Sequence, residues 1–231
     1  MAVSGTNNFL PDIADIAEEA YERAGLEMKS SYQLRTARRS IDLMLIEWQN
    51  RGLNLWCVEE KDLGSLTEGD STYVLDSNTV AVLDVLLREN HGDVGSQVDY
   101  ELGRISLSAY SGIPNKLTKG RPLQFYLERG RSDVTLNLWP VPDSSSKYRI
   151  IYHRVNRMDD SGPGGSYKAD VPDRFVPALV AGLAYSIALK NPESSNRIEF
   201  LKQAYDEQFS LAAEEDREKA PVRFYPGGYE F

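Results

Sequence analysis

The chain has 231 residues and a formal net charge of −9, with 41% hydrophobic and 26% charged residues. That is enough chain to bury a core in one large domain or two small ones, and it lies outside the disordered class. The acidic balance argues against broad capture of a nucleic-acid backbone, which needs clustered Lys and Arg, and no run approaches the roughly 20 apolar residues of a membrane span.

The N-terminus, MAVSGTNNFLPD, has neither the basic start nor the apolar core of a secretory signal. A first amphipathic helix is predicted from Asp12 to Ala24. Ile13, Ile16, Ala17, Ala20 and Ala24 share one face, Asp12 stands at the N-cap and Gly25 follows the end. A second helix is predicted from Ser31 to Arg51, capped by Ser30 or Ser31 and stopped by Gly52. Its stripe is Leu34, Ala37, Ile41, Leu45 and Trp48, with Met44 beside it. Arg35, Arg38 and Arg39 cluster on its first half, either as a solvated face or as a contact for an acidic neighbouring subunit.

The middle reads as β-structure. Strands are predicted at Leu53–Glu60, Ser71–Leu75, Thr79–Arg88, Pro122–Glu128, Val134–Trp139 and Tyr148–Arg154. Gly103–Tyr110 fits neither period cleanly and reads as one or two helical turns. The connections 129–133 and 140–147 carry the turn chemistry of consecutive hairpins, which predicts an antiparallel sheet. Cys57, the only cysteine, can form neither an intramolecular disulfide nor a cysteine-based zinc site, and reduced, cytoplasmic synthesis is the economical reading. Residues 159–170 (DDSGPGGSYKAD) have linker composition.

A third helix is predicted from Pro172 or Asp173 to Lys190. Phe175, Leu179, Leu183 and Ile187 form a stripe, but Val176, Ala178, Val180, Ala181, Ala184 and Ala188 fill the other sides. A helix apolar all round is buried on all sides, either within its own chain or partly by a second subunit. The small residues Ala178, Ala181, Gly182 and Ala184 allow close approach. Asn191–Pro192 breaks it, and a fourth helix is predicted from Ser194 to Lys219 with Ile198, Leu201, Tyr205, Phe209 and Ala212 in register. Its acidic end opposes the helix dipole and suits either solubility or a basic partner. Residues 220–231 then carry Pro221, Pro226, Gly227 and Gly228, which prevent a helix, and Phe224, Tyr225, Tyr229 and Phe231, which are apolar anchors with no periodic home. An aromatic terminus of this kind needs cover, from a partner or from the chain itself.

Reactive chemistry is sparse. His91 and His153 have no ligand-like spacing, the chain lacks a phosphate loop and a nucleophile elbow, and Gly162–Gly165 lacks the strand and helix that phosphate cradling requires. No catalytic, cofactor-binding or metal-binding residues are assigned. Carboxylates are plentiful, which leaves a hydrolase using paired carboxylates, or a monomeric binding module, as alternatives.

Residues 20–26 (AYERAGL), 38–52 (RRSIDLMLIEWQNRG), 172–185 (PDRFVPALVAGLAY) and 205–209 (YDEQF) resemble, in order and spacing, the helical blocks of head-to-tail adaptors of short-tailed phages, the tail accessory or tail tubular A-type connectors. The resemblance implies a structural part of the virion, synthesised in the host cytoplasm and placed at the portal–tail junction. It implies a ring, typically of twelve copies, that contacts the portal and the tail or nozzle and passes DNA through its lumen without specific binding. The expected fold is α+β: a four-helix bundle from the helix pairs in 1–52 and 171–219, an inserted antiparallel β-rich domain (53–170), and an extended docking tail (220–231). Trp48, Ala178, Leu179, Ala181, Gly182, Leu183, Tyr205 and Phe209 are the expected bundle or subunit packing residues. Phe224, Tyr225, Pro226, Tyr229 and Phe231 are the expected docking residues.

Overall fold

Asp12 starts the first helix by pairing reciprocally with Asp15. Its carboxylate accepts from the Asp15 N–H at 2.9 Å, and the Asp15 carboxylate accepts from the Asp12 N–H at 3.1 Å. Ser30 and Gln33 repeat the device at the second helix. Two backbone donors that a helix start leaves without partners are thus satisfied each time. Gly25 and Gly52, at φ of +77° and +75°, turn the chain out of these helices in the left-handed region that glycine enters without strain.

In this computed structural model, residues 11–52, 55–158 and 168–216 are described. Their fold is mixed α+β. The α-helices are α1 (Ile13–Arg23), α2 (Ser31–Asn50), the short α3 (Leu107–Ser111), α4 (Val176–Lys190) and α5 (Ile198–Glu215). The chain divides into two compact units, one from both ends (to Leu55 and from Met158) and one from Trp56–Arg157.

In the first unit α4 is the hub, with α1, α2 and α5 all packed against it. Ala178 to Ala184, Ile187 and Ala188 are buried. The cover that a second subunit was a candidate to supply comes from the chain's own helices. Two helix starts differ from expectation. Asp173–Phe175 and Pro192–Arg197 are 3-10 turns, so α4 begins at Val176 and α5 at Ile198. In the second turn the buried Ser194 hydroxyl donates to the Ala24 carbonyl at 2.8 Å, a tertiary bond to the end of α1 that no local pattern reveals.

The second unit holds strands β1 (Val58–Ser65), β2 (Thr72–Val74), β3 (Thr79–Glu89), β4 (Val98–Glu101), β5 (Gly103–Arg104), β6 (Lys119–Gly120), β7 (Gln124–Arg129), β8 (Val134–Trp139), β9 (Val141–Pro142) and β10 (Tyr148–Asn156). They form two four-stranded sheets, β1-β10-β3-β4 and β2-β8-β7-β5, and a two-stranded β6-β9 pair. Pairing is antiparallel except for β5 with β7 and β6 with β9. One apolar cluster joins both sheets, with Val82, Val85, Leu87, Tyr148, Ile150 and Tyr152 from the first and Phe125, Leu127, Val134, Leu136 and Leu138 from the second. Leu66, Leu75 and Leu102, in segments that cross from one sheet to the other, fill the space between.

Several strand expectations need correction. Leu55–Cys57 is a 3-10 turn, so the strand predicted from Leu53 starts at Val58 and runs on to Ser65. Gly103–Arg104 is a strand, and only then does Ser106 cap α3. β7 and β8 form the predicted hairpin, but β10 pairs with β1 and β3. The 140–147 connection therefore changes sheet, because β10 buries Tyr148, Ile150 and Tyr152 against the opposite sheet. A bulge in β3 sets Leu83 and Asp84 opposite the single residue His153, which breaks strict alternation and keeps both Val82 and Val85 inward.

Candidate interaction sites

Trp48 of α2 is fully buried at the centre of the first unit. Its ring lies 5.4 Å from Phe175 and 5.5 Å from Phe209, and Phe209 lies 6.1 Å from Tyr205, all in tilted arrangements that aromatic rings favour. The indole N–H donates to the Tyr205 hydroxyl at 2.8 Å, so the one polar atom of Trp48 is satisfied. Burial raises the Tyr205 phenol above its ordinary pKa, against the opposing pull of the Trp48 hydrogen bond. Arg51 closes the cluster, its guanidinium 4.4 Å from the Phe209 ring centre and paired with Glu47.

Gly182 is the small residue on which this packing depends. A Cβ there would stand 2.3 Å from Met44 Sδ and 2.8 Å from Tyr205 Cε2. Above it, α2, α4 and α5 leave a groove of about 420 Å³, with Met44, Gly182 and Tyr205 at its base and the exposed Leu43 and Leu189 on its rim. Lys190, also on the rim, donates to the Ser40 hydroxyl and the Thr36 carbonyl. Partial burial lowers its pKa, and the positive charge of Arg39 lowers it further.

Ala178, Leu179, Ala181 and Leu183 lie in the α4 core together with Phe175. Asp216, at the acidic end of α5, is buried and paired with Arg174 of the same chain. Phe224, Tyr225, Pro226, Tyr229 and Phe231 lie outside the described residues. Among the described residues no group of three or more His, Cys, Asp or Glu is placed to hold a metal ion, and no helix is long and apolar enough to cross a membrane.

A family model described as SU10 adaptor protein matches residues 12–225. The chain belongs to that family. No curated protein matches it. The SU10 adaptor match begins at the Asp12 cap, runs through both units and reaches Tyr225, so it takes in Phe224 and Tyr225 of the expected docking residues. It agrees with the resemblance to phage head-to-tail adaptors and gives the protein a structural role in a virion, in contact with other head or tail proteins.

This SU10 adaptor also holds features that sequence reasoning missed. Arg154 is buried on β10, where its guanidinium meets Glu59 at 3.1 Å, Asp76 at 3.2 Å and the Thr79 hydroxyl at 3.0 Å. Burial disfavours its charge, yet Glu59 and Asp76 together hold its pKa above the ordinary arginine value. Arg129 and Arg131, at the end of β7 and just after it, and Arg157, just after β10, line one cavity of about 570 Å³ in an otherwise acidic chain. That Arg157 joins the other two depends on sheet topology, so sequence spacing carried no signal of it. The outward sides of α2 and α5 bear exposed Tyr32, Leu43, Phe200 and Leu211. That signal was legible, as apolar residues recurring at helical spacing on the sides away from the core stripes.

Proposed function

We propose that this SU10 adaptor assembles as a ring of twelve copies at the portal–tail junction, with DNA passing through its lumen. The helix pairs in 1–52 and 171–219 act as a four-helix bundle, 53–170 as the inserted β-rich domain, and 220–231 as an arm whose Phe224, Tyr225, Pro226, Tyr229 and Phe231 dock on the portal protein. The carrying observation is the family match across 12–225, which includes both units and the first aromatic residues of the arm. The net charge of −9 supports it: carboxylates facing a lumen repel phosphates and let a duplex slide without binding. Repetition around a ring turns a modest contact per arm into a durable joint.

The test is to mix the chain with its portal protein at micromolar concentration and follow assembly by light scattering and electron imaging. A ring on the portal is the expected result, and its absence ends this reading. Deletion of residues 221–231 should spare folding and weaken attachment. Equal portal binding by the shortened chain removes the docking role of the arm.

A further inference from the structure

The outward sides of α2 and α5 carry one pattern with opposite charge. On α2, Tyr32, Arg35, Arg39, Leu43 and Ile46 fall at i, i+3, i+7, i+11 and i+14, a single helical stripe, and all five are exposed. On α5, Phe200, Gln203, Glu207, Leu211 and Glu214 fall at the same intervals and are likewise exposed. Each stripe lies opposite the residues that pack inward, Ala37, Ile41 and Trp48 on α2 and Tyr205 and Phe209 on α5. In each, an aromatic residue and a leucine stand eleven positions apart, about 16 Å along the helix axis. Tyr32, Leu43, Phe200 and Leu211 are exposed by 66%, 63%, 72% and 56%, too much aligned apolar surface on two helices to be scattered surface residues.

Between its aromatic residue and its leucine the α2 stripe has two arginines and no acid, whereas the α5 stripe has Gln203 and Glu207 there, Glu214 just beyond Leu211, and no base. Arg35, Arg39 and Glu207 make no ion pair among the described residues. Lys190, close enough to Arg39 for their charges to repel, adds to the positive side.

We infer that the α2 stripe of one copy seats antiparallel against the α5 stripe of a second copy. In that register Tyr32 meets Leu211, Arg35 meets Glu207 and Leu43 meets Phe200, while Glu214 falls beyond Tyr32 toward Lys29. A parallel register pairs Arg39 with Glu207 but sets Glu214 against the apolar Ile46, whereas the antiparallel one sets Arg39 against Gln203 and carries Glu214 toward Lys29, so that both acids of the stripe face a base. Pairing either stripe with itself opposes like charges, which is repulsive. The contact joins unlike surfaces: two copies that exchanged both stripes would close as a twofold dimer, whereas a copy that offers one stripe to one neighbour and receives the other from a second makes the head-to-tail contact that builds rings, and the inferred contact is of this second kind. This rests on the ring reading above and names the surfaces that would make the ring.

The test uses the full-length chain, with portal protein added if the chain alone stays monomeric. Arg35→Cys and Glu207→Cys are combined in one chain and oxidised mildly; the native thiol, Cys57, is buried. The expected result is a ladder of cross-linked multimers that neither single variant gives. Separately, Arg35→Glu or Glu207→Arg should each weaken self-association about tenfold, and the two reversals together should restore it to within about threefold. Circular dichroism should be unchanged, since both positions are exposed. Multimers that form but neither cross-link nor respond to reversal overturn these surfaces and leave the ring standing. A cross-linked product that stops at the dimer overturns the head-to-tail contact. A chain that never associates, with or without portal, overturns both this contact and the ring.

Discussion

Trp48 in the helical unit and Arg154 in the β unit are both buried, and their surroundings show how differently the two units are held. Trp48 has one polar atom and one partner for it, and the rest of its contacts are aromatic. Arg154 is held by two carboxylates and a hydroxyl drawn from β1, from the turn before β3 and from β3 itself. The helical unit is thus centred on ring packing, with a part-buried ion pair, Arg174 and Asp216, at the end of α5, whereas the β unit holds a buried arginine between two carboxylates beside its apolar core. The units also differ in the chain they need. Helix α4 is covered by α1 and α2 from one end of the sequence and by α5 from the other, whereas both sheets come from the continuous stretch Trp56–Arg157.

The largest effect should follow from cutting the chain along that difference. Residues 56–157 expressed alone should fold, with a cooperative thermal transition and dispersed amide resonances. Residues 1–52 alone should not, because their apolar stripes are left without α4 and α5. A folded N-terminal fragment, or an unfolded middle one, would break the comparison.

Gly182→Ala should come next. Alanine is the better helix former by about 1 kcal/mol, but its Cβ must displace Met44 and the Tyr205 ring, and overpacking of this kind costs about 1–3 kcal/mol. Although the Met44 sulfur sits on a flexible side chain, the Tyr205 ring is tied to Trp48. A net loss of about 1 kcal/mol is expected in denaturant unfolding of the helical unit, with the β unit unchanged.

Arg154→Met sharpens the electrostatic half. At neutral pH, losing hydrogen bonds to charged groups should cost the β unit about 1.5–3 kcal/mol. Its pH dependence should change as well. Glu59 is held below its ordinary pKa of 4.5, first by Lys61 and then by Arg154. Asp76 is held below 3.8, first by the Asn78 N–H and then by Arg154. Groups with pKa values lowered on folding contribute stability that is complete above their unfolded values and is lost as pH falls through the folded ones. The β unit should therefore weaken in acid below about pH 4.5, and this loss should be smaller in Arg154→Met. The helical unit should differ little between the two proteins over that range, as followed by amide hydrogen exchange resolved by residue in the two units.

Much of the helical unit was legible because helix formation is announced locally. Caps at Asp12 and Ser30, glycines 25 and 52 and the spacing of Ile13 to Ala24 and Leu34 to Trp48 all lie within a few residues of what they control. The β unit was less so. Strand positions at 79–89 and 134–139 could be read from β-branched and aromatic runs, but Val98–Glu101 and the last half of Val58–Ser65 are too polar to stand out. The consecutive-hairpin expectation failed at 140–147 because turn chemistry shows that the chain reverses and leaves open which sheet it rejoins. As for the interaction sites, the aromatic residues of the arm were visible by composition alone, and the arginines of α2 were read as either a solvated face or a subunit contact, whereas the exposed apolar residues that share the stripes of α2 and α5 were not singled out.

By itself the sequence determined where α1 and α2 begin and stop, which helix faces are apolar, and a family resemblance that the match over 12–225 supports. Those depend on local backbone chemistry and on the order of residues along the chain. Only the tertiary structure decided that α4 is sealed by its own chain, that residues as distant in sequence as Ala81 and Val155 pair within one sheet, and that Arg154 is shared by Glu59 and Asp76. These depend on which distant surfaces meet, and that is settled by the joint burial of many side chains at once, to which no short stretch of sequence bears witness.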